Sequence, residues 1–256
     1  MKKKIKIILL SSIFSSFYAG AHGGTYLMWK LGSAKQSVSH REFTVSEHNV
    51  NTGEPASASA DMGHSAKRLW LGGVGLGYNF YEQFDIPVRL ELEYNNRQSG
   101  IQSSHRNGLD FNLLIPNNKN NELNYVSKIK TQLVMLNGYL DLFSQMSFHP
   151  YIYAGIGRSM NNITYHTDYR VFNHTGTVNS VSKSNTKFAW SLGAGIGKEL
   201  SQRWFMNTGY TFTHLGKVPA YSAWNSSEFG MDASLTSQSS SKIQYHDVFI
   251  SLAYVF

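Results

Sequence analysis

The ionisable residues with the most telling spacing are Arg89, Glu91 and Glu93, which alternate with Val88, Leu90, Leu92 and Tyr94. Alternate residues of an extended chain share a face, so this stretch opposes a charged face to an apolar one. Lys30, Asn137 and Asp141 take the same phase in two other alternating stretches. A face carrying Lys30, Arg89, Glu91, Glu93 and Asp141 can pair into a network that fills an enclosed space, because buried charges are tolerated only when paired. It can instead line a narrow aqueous pore. A second set, Arg68, Lys128, Lys130, Arg158 and Lys242, falls in or near the apolar phase, close to one end of its stretches. Cations so placed can hold phosphate, or can simply mark where a strand leaves an apolar medium, where charge costs little.

Catalytic chemistry finds little to build on. There is no G-x-S-x-G elbow, no H-E-x-x-H and no phosphate-cradling glycine loop. His246 and Asp247 are neighbours, so in a strand they point to opposite faces. His214 with Ser191 is the other pair of catalytic residue types the chain offers. The ten histidines lack metal-ligand spacing. The glycines of Gly155–Gly157 and Gly193–Gly197 are not followed by helical patterns, which excludes a dinucleotide loop. The expectation is no catalytic, cofactor-binding or metal residue, and no enzyme.

The elements that must position these residues have a period of two. Eight alternating segments are predicted: Gly24–Lys35, Arg68–Phe80, Pro87–Arg97, Ile129–Leu142, Tyr151–Met160, Phe188–Leu200, Trp204–His214 and Ile243–Phe256. Each is roughly ten residues, the length at which a tilted strand crosses a bilayer. Between them, connections alternate in length. Tyr81–Ile86, Phe143–Pro150 and Ser201–Arg203 are short, whereas Gln36–Lys67, Gln98–Lys128, Asn161–Lys187 and Leu215–Lys242 are long, polar and rich in Ser, Asn and Thr. Short turns on one side and long loops on the other describe an outer-membrane barrel. The fold expected is all-β: a transmembrane up-and-down antiparallel β-barrel of eight strands, with ten open as an alternative if a loop hides a hairpin.

The two ends agree with export and membrane insertion. Lys2, Lys3, Lys4 and Lys6 precede an apolar stretch, Ile7–Tyr18, and an A-x-A site at Ala19, Gly20 and Ala21. This predicts a signal peptide over residues 1–21, followed by a barrel domain over 22–256. Cleavage removes four lysines and no acid, lowering the formal net charge from +7 to +3. No basic stripe remains to suggest nucleic acid as a partner. The chain has no cysteine, so disulfides, a cysteine-borne lipid and thiol chemistry are excluded. At the other end, Val248, Ile250, Leu252, Tyr254 and Phe256 alternate up to the last residue, as a barrel-closing strand with an interfacial aromatic terminus requires.

Three stretches, Pro150–Gly157, Phe188–Gly197 and Gly209–Lys217, together with the ending Leu252–Phe256, resemble the opacity-type surface antigens and related small outer-membrane barrels. The likeness covers strands and not loops. It implies an integral place in the outer membrane of a Gram-negative cell and a surface-antigen, adhesin-like or structural role, and transfers no binding partner. The partners expected from the residues are outer-membrane lipid and lipopolysaccharide at the outward cations, and the barrel-assembly machinery at the C-terminal strand. The long loops carry His48, His64, Phe111, His166, Tyr169, His174, Tyr221 and Trp224 among small polar residues. Such a composition suits adaptable recognition of a host or environmental ligand, and equally a solvated shield. A porin-like channel is the alternative function.

Overall fold

A computed structural model describes residues 24–49, 55–61, 63–107, 122–142, 148–171, 174–178, 182–225 and 233–256. The predicted signal peptide and Phe111 lie outside them. The strands are β1 (Thr25–Asn49), β2 (Pro55–Asp61), β3 (Ser65–Asn79), β4 (Val88–Arg97), β5 (Gly100–Asn107), β6 (Glu122–Asp141), β7 (His149–Val171), β8 (His174–Val178), β9 (Ser182–Ser201), β10 (Trp204–Asn225) and β11 (Ala233–Val255). Pairing runs β1–β3–β4–β6–β7–β9–β10–β11 and back to β1, all antiparallel. That is a closed, eight-stave, up-and-down barrel. Three staves are broken, because β2 extends β3, β5 extends β4 and β8 extends β9 along their shared neighbours. Closure matters because a membrane offers the backbone no water, so every amide must find a partner strand.

Beside the lower half, the side chains obey the expected alternation. Leu31, Trp70, Leu92, Leu136, Ile156, Leu192, Val248 and Ile250 stand exposed on the outer wall. Lys30, Arg89, Glu91, Glu93, Asn137 and Ser251 are buried inside it. The inward glycines have a specific use: Gly193 and Gly195 lie under the rings of Tyr153 and Tyr151, where a β-carbon would stand 2.5 Å from each ring's Cζ. A side chain at either position would displace the aromatic that fills the barrel.

The segments expected to be long loops are largely strand. β1 continues fourteen residues past Lys35 and β7 eleven past Met160. The period of two persists there, but its polarity reverses. On β6, Val134 and Leu136 face out over Asn137 and Tyr139. Higher up, Lys128 and Lys130 face out while Ile129 and Leu133 turn in. β11 repeats this, with Lys242 outward and Ile243 and Tyr245 inward. The outer wall has passed from lipid to water, so apolar groups retreat to the interior. Ala34, Val38, Leu69, Leu71, Ile129, Leu133, Ile163, Leu215, Val218 and Ile243 form one buried cluster there. Among the described residues, register pairing of β9 with β10 ends at Trp190–His214, and that of β3 with β4 ends at Leu71–Arg97. Beyond those points the sheet continues as two wings, β2–β1–β11–β10 and β5–β6–β7 with β8 and β9.

Candidate functional site

The lumen is built in tiers on the inward positions of neighbouring staves. Lowest, Arg89 on β4 donates from Nε and Nη2 to the two carboxylate oxygens of Asp141 at the end of β6, both at 2.8 Å. Its guanidinium lies 4.9 Å from the Tyr139 ring centre and 5.2 Å from that of Tyr151. A planar fork on a carboxylate with aromatic faces beside it is the arrangement that suits arginine and not lysine. One tier up, Glu91 accepts hydrogen bonds from the hydroxyls of Tyr26 and Tyr139, each at 3.1 Å. Next, Lys30 on β1 forms an ion pair with Glu93, whose other oxygen accepts from Asn137 Nδ2 at 2.8 Å. Arg97 pairs with Asp247 across the lumen, and its guanidinium lies 4.4 Å from the ring centre of Tyr245.

Above the charges sits a neutral chain. Gln102 Nε2 donates to Gln36 Oε1 at 3.0 Å, Gln36 Nε2 to the Tyr245 hydroxyl at 2.6 Å, and that hydroxyl to Thr131 Oγ1 at 2.9 Å. The apolar cluster surrounds this chain and tops the lumen. The cavity bounded by Lys30, Glu93, Arg97, Asn137, Asp247 and Phe249 measures about 20 Å³, room for about one water. A larger hollow of about 120 Å³ opens at the periplasmic mouth, floored by Arg89 and Asp141 and walled by His149, Arg203 and Phe205.

All five residues of the expected charge face therefore meet inside the barrel: Lys30 with Glu93, Arg89 with Asp141, and Glu91 with two tyrosines. Sequence reasoning missed the Arg97–Asp247 pair. Both residues lay within predicted segments and in the inward phase, so strict parity was the signal that could have found them. It also missed Tyr26, whose hydroxyl seats Glu91. The catalytic fragments do not assemble. Asp247 faces in to Arg97, while His246 faces out and contacts the Tyr210 hydroxyl through Nδ1 at 2.6 Å. His214 lies on the outer wall against Gln244, and Ser191 lies buried inside.

On the outer wall, Arg68, Lys128, Lys130 and Arg158 are exposed and Lys242 half-buried, all in the outward phase. The structure adds Lys35, and also Lys217, whose phase is shifted by an irregularity at positive-φ Gly216. The closing strand presents Val248, Ile250 and Leu252 outward. At its foot, Tyr254 packs edge-on against Trp204 and Phe256, and the Phe256 amide donates to Thr25 O at 3.0 Å, tying the last residue to the first strand.

The chain is similar to known outer-membrane proteins. Over 238 residues the chain is 26% identical to outer membrane protein PagN of Salmonella typhimurium, covering 93% of this chain and 92% of that one. Among solved structures, it is similar to Neisserial surface protein A (12% identity, TM-score 0.44, 93% and 99% of the two chains). It is also similar to OprG of Pseudomonas aeruginosa (12% identity, TM-score 0.42, 91% and 97%). A further match is Ail of Yersinia pestis, solved with a heparin analogue (10% identity, TM-score 0.35, 87% and 99%). The family model for the outer membrane protein beta-barrel domain matches residues 7–256, and the chain belongs to that family, an integral protein of the outer membrane.

Proposed function

We propose that this protein works as a surface-interaction barrel: a sealed cylinder that anchors stiff external hairpins for contact with a host or environmental ligand. The observation that carries this reading is the filling of the lumen. Three ion pairs, a tyrosine-held carboxylate and an apolar cap leave about 20 Å³ beside the Arg97–Asp247 tier, less than a hydrated ion needs. The hairpins rise from a barrel whose upper half has its own apolar core, so they present a shaped surface. Within this reading the chain is not an enzyme and residues 1–21 direct its export. Val248, Ile250, Leu252, Tyr254 and Phe256 serve as the signal to the assembly machinery. Arg68, Lys128, Lys130, Arg158 and Lys242 meet lipopolysaccharide.

The test pairs conductance with binding. In a planar bilayer the purified barrel should give no steady openings. Shortening the hairpin between β1 and β3 or that between β10 and β11 to a tight turn should reduce attachment of expressing cells to host-cell surfaces or matrix. Reproducible openings of the unmodified barrel, with attachment unaffected by trimming, would favour the channel reading instead.

A further inference from the structure

The outer wall has an uneven charge pattern. Seven cations, Lys35, Arg68, Lys128, Lys130, Arg158, Lys217 and Lys242, face outward toward the external end. The acids whose side chains are described lie elsewhere: Glu91, Glu93, Asp141 and Asp247 line the lumen, while Asp85 and Glu199 sit at the periplasmic end. Among the residues whose side chains are described, no carboxylate shares this wall.

Four of the cations are arranged as facing pairs on contiguous strands. Lys35 stands directly opposite Arg68 across β1 and β3. Lys217 stands directly opposite Lys242 across β10 and β11. Like charges opposite each other on neighbouring strands are destabilising, and here two such pairs recur on four adjoining staves. Between them lie His246, Gln244 and His214, which are polar and outward, with Trp190 and Phe212 packed against His214 and His246.

Their height is specific. Lys35 and Arg68 are each ten positions above the facing pair Thr25–Tyr78 at the periplasmic end. At about 3.3 Å per residue and a tilt of about 40°, that is roughly 25 Å of rise, the height of the apolar band of such barrels. Lys242 is four positions above His246, which faces Lys35, so the two pairs are about 13 Å apart along the strand. Lys35 and Arg68 thus sit where the wall leaves the hydrocarbon, and Lys217 and Lys242 about 10 Å further out, among the headgroups.

From the two facing cation pairs, the polar residues between them and this height, we infer that the seam β3–β1–β11–β10 is a seat for a bisphosphorylated glycolipid of the outer leaflet. Lys35 with Arg68 holds one phosphate and Lys217 with Lys242 the other, while His214, Gln244 and His246 contact the sugar between them. The anion removes the like-charge repulsion within each pair, which binds the lipid to the seam where the first and last strands close the barrel. This rests on the reading that the chain meets lipopolysaccharide, and adds the place and the chemistry.

The test titrates the folded barrel in detergent with bisphosphorylated lipid A and with the same lipid stripped of phosphate. The unmodified protein should prefer the phosphorylated form at least tenfold, and excess inorganic phosphate should not displace it. Lys35→Gln with Arg68→Gln, and Lys217→Gln with Lys242→Gln, should each weaken binding about tenfold, as losing charge-assisted contacts does. The quadruple variant should lose the preference, and Lys35→Arg with Lys242→Arg should keep it. Lys198→Gln, at the periplasmic end, should leave it unchanged, and heat-modifiable mobility checks folding. A quadruple variant that still prefers phosphate would overturn the seat while leaving lipopolysaccharide contact intact. An unmodified barrel without preference would overturn both.

Discussion

Replacing Asp247 by Asn leaves the Arg97 guanidinium buried without a counter-charge. In the folded barrel Arg97 is 2% exposed and Asp247 4%, and the tier is surrounded by Tyr153, Phe249 and Leu133, so solvent cannot take over the lost role. Breaking a buried pair from one side costs about 3–5 kcal/mol, whereas replacing both partners with apolar residues of similar size is often neutral or stabilising. Asp247→Asn should therefore lower stability by about 3 kcal/mol or more, and Arg97→Met with Asp247→Leu by less than the single change. The assay is urea unfolding in lipid vesicles, followed by tryptophan fluorescence and by the mobility shift of unheated samples. Running Arg97→Met and Asp247→Leu singly as well as together closes a cycle whose coupling term isolates the pair. An Asp247→Asn barrel within about 0.5 kcal/mol of the parent, the range of an ordinary surface change, would refute the argument that this tier is closed to bulk solvent and tightly packed.

Other perturbations test other tiers. Glu91→Gln keeps one oxygen as acceptor for a tyrosine hydroxyl and offers its amide N–H to the oxygen of the other, and should cost about 1 kcal/mol or less, while Glu91→Leu orphans both and should cost about 1–3 kcal/mol per hydroxyl in the same unfolding assay. Gly193→Ala pushes a methyl group into the Tyr153 ring; about 1–3 kcal/mol of destabilisation is expected from overpacking, and Tyr153→Ala in the same chain should relieve it. Ile250→Lys places a charge on the lipid face near mid-bilayer and should cost about 2–4 kcal/mol, against about 1 or less for a lysine at the height of Lys35. Equal costs at the two heights would mean that the wall does not face hydrocarbon.

Much of the barrel could be read from the chain because the bilayer enforces one simple pattern. Val88–Tyr94 alternates without exception, and the structure keeps its phase: Arg89, Glu91 and Glu93 inside, Leu90 and Leu92 outside. The external hairpins were harder to read. Leu69, Ile129 and Ile243 are apolar and in period, but they belong to the opposite face from Val74, Val134 and Val248 below them. A reading that expects apolar residues on one face sees the pattern end at Lys35 or Lys128 and assigns a loop. What ends is the lipid, not the strand. Ion pairing was legible only as a set of faces, because the partner of Lys30 lies 63 residues away and that of Arg97 lies 150 away. Which tier faces which depends on stagger between strands, which alternation within one strand does not encode. Lys217 was hidden for a local reason: the irregularity at Gly216 moves it out of the simple count from His214.

The absence of native cysteine allows the central claim to be probed by near-isosteric change at two inward serines, Ser191 and Ser251, which are 4% and 3% exposed. Ser191→Cys and Ser251→Cys, each in the otherwise unmodified barrel and reconstituted in vesicles, would be exposed to a small charged thiol reagent, and the rate of modification measured. A sealed, tiered lumen predicts no reaction while the barrel is folded and complete reaction once it is unfolded in urea. Rapid modification of either residue in the folded barrel would mean that water and ions reach the interior, contradicting the plugged cylinder and the surface-interaction function drawn from it.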